Sequence, residues 1–177
     1  NSWSAVGPTG TAGLELPVPT TAGRGYDPQL TLRHNSNSGN GPFGVGWGID
    51  ISRISRRTNK GVPRYTVHDE IVNQNGEVCM AELDENGDLK YRLESTYNGQ
   101  DIGPHKVVRY WPRIESDFAL CECWQRQTGK ADEPVFWLVH GADGSLRAYG
   151  MTGASRLAAP DDASRVSAWL LCESMNA

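Results

Sequence analysis

The sequence predicts an all-β fold of antiparallel hairpins with little helix, and three observations carry that expectation. Asn-Gly and Asp-Gly pairs recur between apolar segments, at Asn75-Gly76, Asn86-Gly87, Asn98-Gly99 and Asp143-Gly144. They signal hairpins because the central positions of such turns need positive φ. The segments around them alternate apolar and polar residues at the two-residue period of a half-buried strand. Only Pro160-Asp161-Asp162-Ala163-Ser164-Arg165, opened by a proline and two acids, has the look of a helical turn. The sheets are expected to be sandwich-like.

Taken in order, Leu14, Leu16 and Val18 share one strand face, and Leu30 and Leu32 share another against Thr31 and Arg33. Pro17, Pro19 and Pro112 suit edge strands or bulges, since proline donates no ladder hydrogen bond. Gly39 to Gly48 holds five glycines at 39, 41, 44, 46 and 48 around Phe43 and Trp47. Glycine is kept where backbone turns sharply or approaches another surface, so the two aromatics are expected to pin a bent loop. Val108, Tyr110 and Ile114 stay in phase through Pro112, and Phe118, Leu120 and Trp124 follow. Val135 to Val139 is continuously apolar and expected to be buried on both faces, before the Gly141–Gly144 turn into Leu146–Tyr149. A last strand is placed at Ala168 to Cys172, and a strand burying Trp169 and Leu171 calls for partners. A parent protein continuing beyond it is expected.

At 177 residues with a net charge of −4, the chain is long enough for one ordinary domain, placed at 1–177. Nucleic-acid binding, which calls for a basic footprint, is not expected. The longest apolar runs fall well short of the ~20 residues that span a bilayer, so no membrane-spanning segment is expected. No signal peptide is visible and the first residue is Asn1 rather than methionine, which reads as a fragment or processed piece.

The search for chemistry returns little. Gly39-x-Gly41-x-x-Gly44 matches the bare dinucleotide-binding pattern, but Pro42 removes a donor N–H and the following Trp47–Ser52 alternates as a strand. Cys79, Cys121, Cys123 and Cys172 form neither a disulfide framework nor a zinc spacing and read as small buried hydrophobes. His34, His68, His105 and His140 are scattered, and His68-Asp69-Glu70 reads as a solvated edge. No Gly-x-Ser-x-Gly elbow anchors a hydrolase triad. No catalytic, cofactor-binding or metal-binding residue is assigned. Arg53, Arg56, Arg57, Lys60 and Arg64 place five positive charges in twelve residues, either a partner patch or a charged edge that resists sheet-to-sheet aggregation. Trp47, Trp111, Trp124, Trp137 and Trp169 are expected to fill core or inter-sheet space.

Several stretches together carry a family resemblance. Leu16-Pro17-Val18-Pro19, Gly39-Asn40-Gly41-Pro42-Phe43-Gly44-Val45-Gly46-Trp47, and Ile54–Thr58 with Gly61-Val62-Pro63-Arg64-Tyr65 are three of them. Arg109-Tyr110-Trp111-Pro112-Arg113-Ile114-Glu115-Ser116 and Phe136-Trp137-Leu138 with the His140–Gly144 turn complete the set. In this order they resemble the amino-terminal domain of SpvB-type toxins and the start of the B subunits of Tc insecticidal toxins. Asn1 to Ala5 is unmatched. The signature residues are Gly39, Gly41, Pro42, Phe43, Gly44, Gly46, Trp47, Arg56, Pro63, Tyr65, Arg109, Tyr110, Pro112, Arg113 and Glu115, all given a folding role.

The resemblance implies a non-catalytic module of a secreted toxin delivered to host cells. Its sheets would be sandwich-like or a segment of a larger shell wall, and it would scaffold, deliver or encapsulate a separate carboxy-terminal domain of mono-ADP-ribosyltransferase type. That transferase needs a Glu-x-Glu pair, which this chain lacks, and Ser95-Thr96-Tyr97 only echoes its Ser-Thr-Ser strand. The implied partners are other domains of the same toxin or complex, with a host surface or secretion partner beside them. The alternative reading is a receptor- or glycan-binding module.

Overall fold

The computed structural model describes residues 2–4, 13–18, 30–36, 39–41, 44–57, 65, 69–113, 120–127 and 135–175. Its contacts form two compact units, 1–51 and 52–177, a finer division than the single unit placed at 1–177. The first holds β1 (Ser2–Ser4), β2 (Gly13–Val18), β3 (Leu30–Asn35), β4 (Asn40–Gly41), β5 (Gly44–Val45) and β6 (Trp47–Asp50). The second holds β7 (Arg53–Arg56), β8 (Ile71–Val72), β9 (Val78–Ala81), β10 (Tyr91–Tyr97) and β11 (Gln100–Pro112). It continues with β12 (Leu120–Arg126), β13 (Phe136–His140), β14 (Leu146–Tyr149), β15 (Arg156–Ala159) and β16 (Asp162–Met175). Every described strand pair is antiparallel, as the hairpin signals predict.

In the first unit the main sheet runs β1-β2-β3-β6. Its register sets Leu16 opposite Leu32, Val18 opposite Leu30 and Leu32 opposite Ile49, so the alternation read from the sequence becomes one apolar face. Pro17 lies past the reach of β1, where β3 alone flanks β2 among the described residues. The glycine stretch is a small hairpin, with Asn40 opposite Val45 and Gly41 opposite Gly44, and no helix follows it. Gly46 sits at φ +80°, and a Cβ there would come within 2.7 Å of the His34 ring. That crowding explains its glycine. Trp47 is half-buried and meets His34 edge-on at 4.9 Å; Pro42 and Phe43, and with them the pinning idea, lie outside the described residues.

In the second unit the strands close into a barrel. The order β11-β12-β13-β14-β16-β7-β8-β9 returns to β11, because β9 pairs with the end of β11. Eight is an even number, so an antiparallel ring closes without a parallel pair. Side chains fill the interior: Trp137 packs edge-on against Trp169 at 5.3 Å and against Tyr110 at 4.8 Å, with Ile54, Cys79, Cys121, Cys123 and Tyr149 around them. Among the described residues Pro112 is flanked by β9 alone, since the pairing of β11 with β12 ends at Tyr110, an edge position as expected.

A second apolar cluster lies on the outer face of the same strands, formed by Val107, Trp124, Phe136, Leu138 and Ala148. The β10–β11 hairpin covers it. Its register shifts between Glu94 and Thr96, and Gly103 takes φ +81°. The hairpin tip thereby bends back, bringing Tyr97 to 6.3 Å from Phe136 and its hydroxyl to 2.8 Å from Glu173. Residues 136–139 are consequently buried on both faces, as expected.

Three expectations change. Pro160–Arg165 is not helical: Pro160 and Asp161 turn the β15–β16 hairpin, and β16 runs from Asp162. Proline suits the first central position of a turn as well as a helix start, and the single 3₁₀ turn among the described residues is Gly153–Ser155. Positive φ at both central turn residues occurs only at Asn98-Gly99. At Asn75-Gly76, Asn86-Gly87 and Asp143-Gly144 glycine alone is left-handed, because these are longer loops whose glycine closes a turn begun at Asn73, Asp84 or Gly141. Trp111, expected inside, is exposed, as its position on the outer face of β11 lies beside β9 rather than beneath the hairpin tip.

Candidate functional site

Strand β12 alternates Cys121 and Cys123 into the barrel with Glu122 and Trp124 outward. The outward face is itself covered, which leaves Glu122 only 2% exposed. A buried carboxylate requires partners. Arg92 Nη1 donates to Oε1 at 2.8 Å, Trp124 Nε1 lies 3.2 Å from Oε2, and His140 Nε2 lies 3.2 Å from the same oxygen. Burial alone would raise the acid, but the hydrogen bonds from His140 and Arg92 outweigh it and hold the carboxyl down at about 2. Arg92 also donates from Nε to Glu94 at 3.1 Å, so one guanidinium ties β10 to β12.

The basic stretch of the second unit is drawn inward. Arg56 donates from Nε to the Val166 carbonyl at 2.8 Å and pairs with Asp69 at 3.2 Å. Its guanidinium lies 5.1 Å from the Trp169 ring and 5.6 Å from that of Tyr65. Arg57 pairs with Glu70 at 2.6 Å, and Arg113 pairs with the other oxygen of Glu70. Glu70 thus joins the stretch at 53–57 to the Arg109–Arg113 signature. Arg53 is exposed. Lys60, Pro63, Arg64, His68 and Glu115 lie outside the described residues.

Within Arg109–Arg113, Tyr110 enters the core while Arg109, Trp111 and Arg113 face outward. A cleft of about 170 Å³ opens beside them, lined by Glu82, Lys90, Tyr91, Arg92, Val107 and Arg109. The three buried thiols offer no nucleophile at neutral pH: burial pushes Cys79 up to about 11 and Cys123 to about 12, and Cys121 rises for the same reason. Among the described residues no group of three or more His, Cys, Asp or Glu side chains is placed to hold a metal ion.

The Arg92–Glu122–His140–Trp124 network was missed in the sequence. Its one trace there is an acid set between two apolar thiols and a tryptophan in Cys121-Glu122-Cys123-Trp124. These ion pairs and hydrogen bonds join strand to strand in an all-antiparallel β-barrel. The particular family follows from comparison: residues 6–177 match the SpvB family, Salmonella virulence plasmid 65kDa B protein, and the chain belongs to it.

Mono(ADP-ribosyl)transferase SpvB of Salmonella typhimurium (strain 14028s / SGSC 2262) is 41% identical over 174 residues, covering 97% of this chain and 29% of that protein. The chain therefore spans under a third of the length of this relative. The N-terminal domain of effector protein SpvB from Salmonella typhimurium strain LT2 superposes with a TM-score of 0.76 at 38% identity, over 92% of this chain and 50% of that one. The TcdB2-TccC3 crystal structure superposes with a TM-score of 0.82 at 37% identity, over 99% of this chain and 8% of that one.

Proposed function

We propose that this chain is the non-catalytic amino-terminal module of a secreted bacterial toxin. It scaffolds, delivers or encapsulates a carboxy-terminal cytotoxic domain, and its partners are other parts of the same toxin or complex. One observation carries the reading. The same two-unit stretch superposes on half of a solved SpvB N-terminal domain chain and on a small part of TcdB2-TccC3, proteins of very different length. What such relatives share is an architecture that can be placed in different assemblies. The residue chemistry agrees: buried thiols are protonated, and Glu122 is committed to three partners.

The test uses the parent toxin with Trp169→Ala, which empties the barrel centre. Intoxication of cells is expected to fall while the carboxy-terminal domain keeps its activity on soluble substrate. Full intoxication by a variant shown to have lost its barrel overturns the reading. A second measurement does not depend on that variant: the chain alone is incubated with NAD. No turnover is expected, and consumption above a heat-denatured control overturns the non-catalytic assignment. Saturable sugar binding with quenching of tryptophan fluorescence would replace it with glycan recognition.

A further inference from the structure

We propose that the outer face of β11 around Arg109 is a docking surface for an apolar polypeptide segment bearing one carboxylate, which Arg109 receives beside Trp111 and Met80. The geometry carries this independently of the delivery reading.

Other outward residues of the Arg109–Arg113 signature have partners within the chain. Trp111 donates from Nε1 to Glu82 at 3.1 Å, and Arg113 pairs with Glu70. Tyr110 fills the barrel and Pro112 pairs with Cys79 of β9. Arg109 is left, exposed and without a salt bridge or side-chain hydrogen bond to any described residue. The described carboxylates around it have other hydrogen-bond partners. Glu82 receives Lys90 at 2.9 Å as well as Trp111, and Glu94 receives Arg92. Glu122, directly across the strand pair from Arg109, is filled by Arg92, Trp124 and His140.

The cleft beside Arg109 has three cationic side chains, Lys90, Arg92 and Arg109, against the single carboxylate of Glu82, with buried Val107 in its lining. A guanidinium presents a planar fork of donors that matches a carboxylate. Next to it on the same face, Trp111 is 40% exposed and Met80, its cross-strand partner, 45%. Tryptophan and arginine side by side are the residues that dominate protein–protein contacts. A nucleic acid fits poorly, because the chain's net charge of −4 opposes a polyanion. One carboxylate flanked by apolar side chains fits both halves of the surface.

The test is NMR on the isotopically labelled chain, following the Arg109 Nε–H and Trp111 Nε1–H signals. Probes are the capped peptide Gly-Leu-Glu-Leu-Gly, its glutamine counterpart, and inorganic phosphate. The glutamate peptide is expected to shift both signals and to bind about tenfold more tightly than the glutamine peptide, the worth of a charge-assisted hydrogen bond. Arg109→Gln should abolish that preference without moving the thermal midpoint, and Arg53→Gln should preserve it. Equal binding of the two peptides, or a preference surviving in Arg109→Gln, overturns the proposal. So does phosphate binding the same groups as tightly as the peptide, which makes the surface a simple anion site. A lowered midpoint in Arg109→Gln would make the residue structural and equally overturn it.

Discussion

Replacing Glu122 by glutamine tests whether the buried carboxylate fastens the β10–β11 hairpin to the barrel. Glutamine keeps the shape and removes the charge that Arg92 and His140 share. With the folded carboxyl at about 2 and the ordinary value at 4.5, the ionised form contributes about 3 kcal/mol at neutral pH. The sign follows from a depressed folded value. That contribution is complete above the unfolded value near 4.5 and is lost as pH falls through the folded value near 2. Urea unfolding of the wild type and Glu122→Gln at pH 7, 4 and 2.5 should therefore give a stability gap of about 3 kcal/mol that narrows over this acid window. Comparing the two proteins at each pH cancels the titration of the other carboxylates. A gap that stays constant with pH would refute the reasoning. So would a gap at pH 7 within about 0.5 kcal/mol, the range of an ordinary surface substitution.

Two glycines with the same backbone conformation should respond differently to alanine. Gly150 and Gly99 both sit at φ +74°, but a Cβ on Gly150 would lie 2.2 Å from the Trp169 ring, whereas Gly99 faces open space. Gly99→Ala is expected to cost about 1 kcal/mol and Gly150→Ala at least about 3 kcal/mol by thermal unfolding, and equal losses would deny the close approach. Cysteine alkylation at pH 8 should modify Cys172, which is half-buried, before the buried Cys79, Cys121 and Cys123. All four should react in denaturant; rapid labelling of Cys121 in the native protein would contradict the filled barrel.

Local structure was largely legible in the sequence, because the signals for it are local. Glycine in the Asn-Gly and Asp-Gly pairs marks left-handed turn positions, and the unbroken Val135–Val139 run reads as a strand covered on both sides. Non-local pairing was not legible. Nothing in Arg53-Ile54-Ser55 says that it meets Leu170-Trp169-Ala168, a register set by closure of the barrel. Glu122 escaped notice for a related reason. On an alternating strand an acid reads as solvent-facing, and it is buried only because a hairpin tip folds over that face. Arg56 and Arg57 read as a free patch because their acids, Asp69 and Glu70, come thirteen residues later.

The strand that seals the ring is also the last described in the chain. β16 lies between β14 and β7, and Trp169 pairs with Ile54 across more than a hundred intervening residues. During synthesis the edge of β7 that faces β16 must therefore wait until β16 leaves the ribosome, and such long-range closure is intrinsically slow. A nascent chain halted before Trp169 would expose both lips of an unsealed seam, so newly made protein should depend on chaperones most at that stage.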